Sequence, residues 1–120
     1  MTRRKLIAVV TAASLLAPAS LAWAHTELNS VSPRKNSTRK TVRSVHATFT
    51  GSLITGTITI KTSSGRVVPL KRNGLKANNK RVLEAIPRRP LASGRYVVEW
   101  RARASDGHSQ RGSWRFRVRR

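Results

Sequence analysis

The sequence predicts an all-β domain, a small Greek-key sandwich or barrel of about seven strands. Three observations carry that expectation. After residue 24 no stretch sustains a helical period. Several short runs instead alternate apolar and polar side chains: Val45, Ala47 and Phe49, then Tyr96, Val98 and Trp100, then Trp114, Phe116 and Val118. Between the runs lie clusters of Gly, Pro, Asn and Ser, the residues of tight turns. There is no internal repeat of solenoid or propeller length.

Residues 1–24 read as a cleaved export signal. Arg3, Arg4 and Lys5 form a positive start, residues 6–16 an apolar stretch too short to span a bilayer comfortably, and Ala22-Trp23-Ala24 a small-x-small cleavage pattern. A cut after Ala24 leaves residues 25–120 as one domain, whereas a cut after Ala19 would leave Ser20 first. Residues 2–7 also resemble a twin-arginine signal, which exports folded domains. No later segment is apolar enough to cross a membrane, so the expected product is a soluble, periplasmic chain.

Residues 25–32 alternate weakly up to Pro33 and are predicted as a first strand, followed by a basic loop over 34–40. Residues 42–49 alternate cleanly, with Val45, Ala47 and Phe49 on one face and Ser44, His46 and Thr48 on the other. After a turn at Thr50-Gly51-Ser52, residues 57–61 are dense in Thr and Ile, a strand composition. Ser63-Ser64-Gly65 turns the chain into residues 66–70, which Pro69 confines to a sheet edge. Residues 71–80, basic and rich in Asn and Gly, read as a loop or irregular hairpin, and 81–86 as a strand closed by Pro87 and Pro90. Residues 94–104 give the strongest strand. A polar loop over 105–112 leads to a last strand with Trp114, Phe116 and Val118 inward and Arg115, Arg117 and Arg119 outward.

Composition narrows the function. The chain carries 25 Lys and Arg against four Asp and Glu, a net charge of +21, and no cysteine. A disulfide framework is therefore excluded, and an apolar core must hold the domain. Such charge opposes compactness and favours anionic partners. Arg101, Arg103, Arg115, Arg117 and Arg119 are expected to line one sheet face, where they also discourage edge-to-edge pairing. The acids are Glu27, Glu84, Glu99 and Asp106. They form no evident catalytic pair, so binding, not turnover, is expected.

The histidines carry the chemistry. His46, mid-strand opposite the apolar face, reads as solvent-facing. Asp106 and His108 stand two residues apart in the loop after the strongest strand, with Gly107 between them, and can point at one spot. His25, once first in the chain, would offer its ring and its free α-amine as a chelate. An amine, two imidazoles and a carboxylate form a nitrogen-rich set that in tetragonal geometry selects Cu(II) over Mg or Ca. Zinc could take the same ligands tetrahedrally. With Met1 lost and no cysteine, a soft Cu(I) site is absent. The expectation is one Cu(II) per chain, on His25, Asp106 and His108.

These residues resemble the CopC family of periplasmic copper-resistance proteins. The likeness begins at Ala24-His25 with Leu28, Ser32 and Pro33, and runs through the strand ending at Phe49. It is strongest over residues 91–101, then includes Ser105-Asp106-Gly107-His108, Gly112 and residues 116–118. The resemblance implies a cupredoxin- or immunoglobulin-like Greek-key barrel, a monomer, that binds Cu(II) through the N-terminal histidine and the D-x-H loop. It also implies an inner-membrane copper transporter of the CopD type as partner. Three departures stand out. Gly51 replaces an acid usual after the second strand, no Met-rich loop is present, and Ser109-Gln110 follows where Pro is usual.

Two other readings compete. A basic exported β-domain could bind polyanions (lipopolysaccharide, anionic lipid or nucleic acid) without metal. A histidine-first copper chelate also serves copper oxygenases of polysaccharides, but a domain this small and poor in aromatics offers little substrate platform.

Overall fold

The structure, a computed structural model, describes residues 25–120, so the expected export signal lies outside the described residues. Eight strands form two four-stranded sheets, and the described residues contain no helix. The first sheet runs, in spatial order, β1 (Leu28–Ser32), β3 (Val45–Phe49), β6 (Asn79–Pro87) and β5 (Leu70–Lys76). The second runs β2 (Thr38–Arg39), β8 (Ser109–Val118), β7 (Gly94–Ala104) and β4 (Leu53–Thr62). All neighbours are antiparallel except β2 and β8.

The alternation read from the sequence sets the core. Val45, Ala47 and Phe49 meet Leu83 and Ala85 on the first sheet, all essentially buried. Tyr96, Val98 and Trp100 on β7 join Ile58 and Ile60 on β4 and Trp114, Phe116 and Val118 on β8. Across the sandwich Phe49 meets Trp100 edge-on with centroids 5.1 Å apart, a favoured geometry for aromatic quadrupoles. The buried polar tips are satisfied. Trp114 Nε1 donates to the Pro33 carbonyl at 2.9 Å, and the Tyr96 hydroxyl donates to the Ala92 carbonyl at 2.6 Å. Burial raises the Tyr96 pKa, so its ring stays neutral over the physiological range. Trp100 also needs Gly112, its partner on β8, because a Cβ there would lie 2.7 Å from the indole.

One side of the sandwich is closed by a side chain. β5 and β4 are sheet edges, and Asn73 on β5 reaches across to β4. Its Oδ1 accepts from the Ile58 N–H at 2.8 Å, and its Nδ2 donates to the Ile58 carbonyl at 2.9 Å. The amide thus replaces a missing neighbour strand for both backbone groups of one residue.

The all-β class is as expected, and several boundaries move. The basic stretch over 34–40 contains β2, whose two residues carry no apolar signal and pair through backbone alone: Arg117 N–H to Ser37 and Arg119 N–H to Arg39, each 2.9 Å. The edge strand expected over 66–70 lies later, at β5. Only Val67 bridges to Lys61, and Pro69 delays the ladder. The loop expected over 71–80 is the β5–β6 hairpin, turned by Asn78 at φ 62°. The first strand begins at Leu28 and the last at Ser109, which shortens the polar loop before it. His46 points outward, yet its side chain is only 26% exposed and its Nε2 lies 3.1 Å from Glu84 Oε2 on β6. Of the five arginines expected to line one sheet face, Arg101, Arg103, Arg115 and Arg117 stand there, while Arg119 falls beyond β8.

Trp100→Ala is expected to cost about 3–5 kcal/mol of folding stability, measured by denaturant unfolding. A near-native midpoint would contradict its place in the core.

Candidate metal centre

The β7–β8 hairpin closes through four residues, Ser105 to His108. The Gly107 N–H donates to the Ala104 carbonyl and the Ala104 N–H to the His108 carbonyl, both at 2.9 Å. Gly107 sits at φ +94°, a conformation that other residues rarely adopt. Within this turn Asp106 bonds its own chain. Its Oδ1 accepts from the His108 N–H at 2.9 Å and stands 3.4 Å from the His108 ring Nδ1. The Asp-Gly-His order therefore sets carboxylate and imidazole side by side at the tip of the hairpin.

Residues 25–27 lie across the same end of the sandwich, tied on both flanks. On one flank is the β3–β4 turn. The Thr50 N–H donates to the Glu27 carbonyl at 2.8 Å, the Glu27 N–H to Thr50 Oγ1 at 2.9 Å, and Thr50 Oγ1 to the His25 carbonyl at 3.4 Å. On the other flank the Thr26 N–H donates to Asp106 Oδ2 at 3.3 Å, and Gln110 Nε2 donates to the Thr26 carbonyl. Thr26, the middle residue of this strap, is buried. Gly51 makes room for it, since a Cβ at 51 would fall 2.4 Å from Thr26 Oγ1. Any side chain at that position would require the Thr26 hydroxyl to shift.

The strap carries His25 to the hairpin. The His25 and His108 rings stand 5.4 Å apart at 55°. One ligand atom each from His25, Asp106 and His108 lies within 4.8 Å of the others, all three residues being exposed. Metal–nitrogen bonds are about 2.0–2.1 Å, so modest rotation of solvent-facing side chains would close the three around one ion. Among the described residues this is the one such group of three. His46 stands outside it, paired with Glu84.

The Asp106 carboxyl is held below its ordinary pKa, chiefly by the His108 N–H. The Thr26 N–H and the His108 ring add to this, against some desolvation. It is therefore an anion, and an available donor, well into the acid range. Thr26, Thr50 and Gln110 act as positioning residues that sequence reading passed over. A signal for Gln110 existed: it pairs with Ala102 on the inward side of β8, where the neighbouring inward positions are apolar. A polar side chain in that register needs a partner.

An eight-stranded sandwich with two imidazoles and a carboxylate gathered at one end defines a small β-domain with a candidate metal-binding end. Comparison with known proteins places it. The family model described as the CopC domain matches residues 28–119, and the chain belongs to the CopC family. It is 28% identical to copper resistance protein C of Escherichia coli over 125 aligned positions, covering 93% of this chain and 95% of that one. It is 31% identical to copper resistance protein C of Xanthomonas campestris pv. juglandis, covering 92% of each. Among solved structures, CopC from Methylosinus trichosporium OB3b superposes with a TM-score of 0.67 at 31% identity, covering 78% of this chain and 93% of that one. PcoC, a methionine-rich copper resistance protein of Escherichia coli, gives 0.66 at 29%, covering 80% and 100%.

A carboxyl with a lowered folded pKa contributes stability above its ordinary value and loses it as pH falls through the folded value. In metal-free protein the melting-temperature gap between wild type and Asp106→Asn is therefore expected in full at neutral pH and should begin to close only as pH falls below 3.8, the ordinary carboxyl value. A gap independent of pH would contradict the ionic role of Asp106.

Proposed function

We propose that this protein captures one Cu(II) ion per chain in the periplasm, for copper resistance, sequestration or delivery, and does so as a binding protein and not as an enzyme. The ligands are the α-amine and ring of His25, exposed by cleavage after Ala24, with Asp106 and His108. The observation that carries the reading is the strap, which ties residues 25–27 to a hairpin some 80 residues away and sets two imidazoles and a carboxylate together. Membership of the CopC family supports copper as the ion, as do the names of the relatives. Glu84 and Glu99 are engaged by His46 and Lys61, so they form no acid–base pair beside the cluster.

The ligand set favours Cu(II). Two imidazoles, an amine and a carboxylate suit tetragonal Cu(II), and no thiolate or thioether stands among residues 25–120 to draw Cu(I). The exposed position permits hand-on, and an inner-membrane transporter of the CopD type is the receiver this reading implies. The described residues contain no helix long and apolar enough to cross a membrane.

Copper titration of the exported protein tests the ligands. His108→Ala, and separately one residue added ahead of His25, should each weaken Cu(II) binding by more than about 100-fold, beyond the loss typical of outer-shell changes. Unchanged affinity with the added residue would exclude the chelate. Affinity should also fall as the solution is acidified, because protons compete for the nitrogens. A flat profile from neutral to acid pH would contradict histidine ligation.

A further inference from the structure

The positive charge is not spread evenly over the sandwich. On the outward face of the second sheet stand Arg95, Arg101 and Arg103 from β7 and Arg111, Arg115 and Arg117 from β8. Two pairs face each other directly across the ladder, Arg95 with Arg117 and Arg101 with Arg111. Like charges in that relation destabilise a sheet. The one carboxylate on this face, Glu99, already holds Lys61 at 3.0 Å. The first sheet differs: β1, β3 and the middle of β6 turn Ser30, Ser32, His46, Thr48 and Glu84 outward, and its basic residues, Lys71, Arg72, Lys76, Lys80 and Arg81, lie only on β5 and the start of β6. A charge serving solubility alone has no reason to set like charges directly opposite each other across one ladder.

We propose that this arginine face docks the protein on an anionic membrane surface through lipid phosphates. Side chains on one face of a strand repeat about every 6.6–6.8 Å, and neighbouring strands lie about 4.8 Å apart. β7 and β8 thus present a two-row array of guanidinium groups, each able to take phosphate oxygens in a bidentate fork. Arg101, Arg103 and Arg111 also rim a shallow depression with Thr55 and Thr57 that can seat one phosphate. The partner is argued from what the face lacks. The rings of Tyr96, Trp100, Trp114 and Phe116 all turn into the core, so none is left outside to stack on bases. A broad sheet face also suits a planar surface better than the groove of a duplex. Attraction to anionic lipid rises with each basic residue and fades within a Debye length. Because Asp106 and His108 cap the same hairpin, docking by this face would hold the candidate metal loop at the membrane.

The proposal does not depend on the copper reading, and its test keeps the two apart. The exported protein is sedimented with vesicles of phosphatidylglycerol and phosphatidylcholine, and with phosphatidylcholine alone. Binding is expected only to the anionic vesicles, to fall with added salt, and to persist in His108→Ala. The triple variant Arg101→Gln, Arg111→Gln, Arg115→Gln should weaken it on the order of 100-fold. The variant Lys71→Gln, Arg72→Gln, Lys76→Gln removes the same charge from β5 and should retain most of it. Circular dichroism verifies that both remain folded. Equal losses from the two variants would mean bulk charge and would overturn the assignment. So would tighter binding to duplex DNA or to polyglutamate than to the vesicles at the same ionic strength.

Discussion

The hydrogen bonds that clamp residues 25–27 between Thr50 and the pair Asp106 and Gln110 are the constraint on which the candidate site depends. A segment ahead of the first strand ordinarily frays. This one has the N–H and carbonyl of both Thr26 and Glu27 engaged on opposite flanks. The clamp spans both sheets, because Thr50 follows β3 in the first and Asp106 follows β7 in the second. Packing of the two sheets therefore sets the distance between His25 and His108. Gly51 belongs to the same arrangement, since a Cβ there would crowd the Thr26 hydroxyl.

The core sustains this without disulfides and against its own charge. Trp100, Trp114, Phe116 and Phe49 fill the space between the sheets, and Gly112 gives the Trp100 indole its place against β8. Asn73 closes the side where β4 and β5 leave edges. Burial of these rings must offset the repulsion among arginines on the far side of the same strands. β7 thus alternates two tasks along its length, with aromatic and aliphatic residues inward and arginines outward.

Much of this was legible in the sequence. The alternations at Val45, Tyr96 and Trp114 gave the strands and the buried face, because a period of two at a half-buried sheet leaves a direct mark. Asp106-Gly107-His108 was legible because turn chemistry and ligand chemistry coincide in three residues. What stayed hidden depends on backbone pairing or distant contact. β2 has two polar residues and no apolar signal. β5 carries Arg72, Asn73 and Gly74, whose composition suggests a loop, and becomes a strand through pairing with β6 and the reach of Asn73 to Ile58. His46 looked solvent-facing because nothing local announces that Glu84 stands opposite it. The roles of Thr26, Thr50 and Gln110 exist only once two ends of the chain meet.

The proposed chelate exists only if cleavage leaves His25 first in the chain. Intact-mass measurement of the chain recovered from the periplasm decides it. The account predicts a mass that begins at His25, with a free amine. A mass that begins at Ser20, or at any residue other than His25, would remove the amine from the site and contradict the chelate.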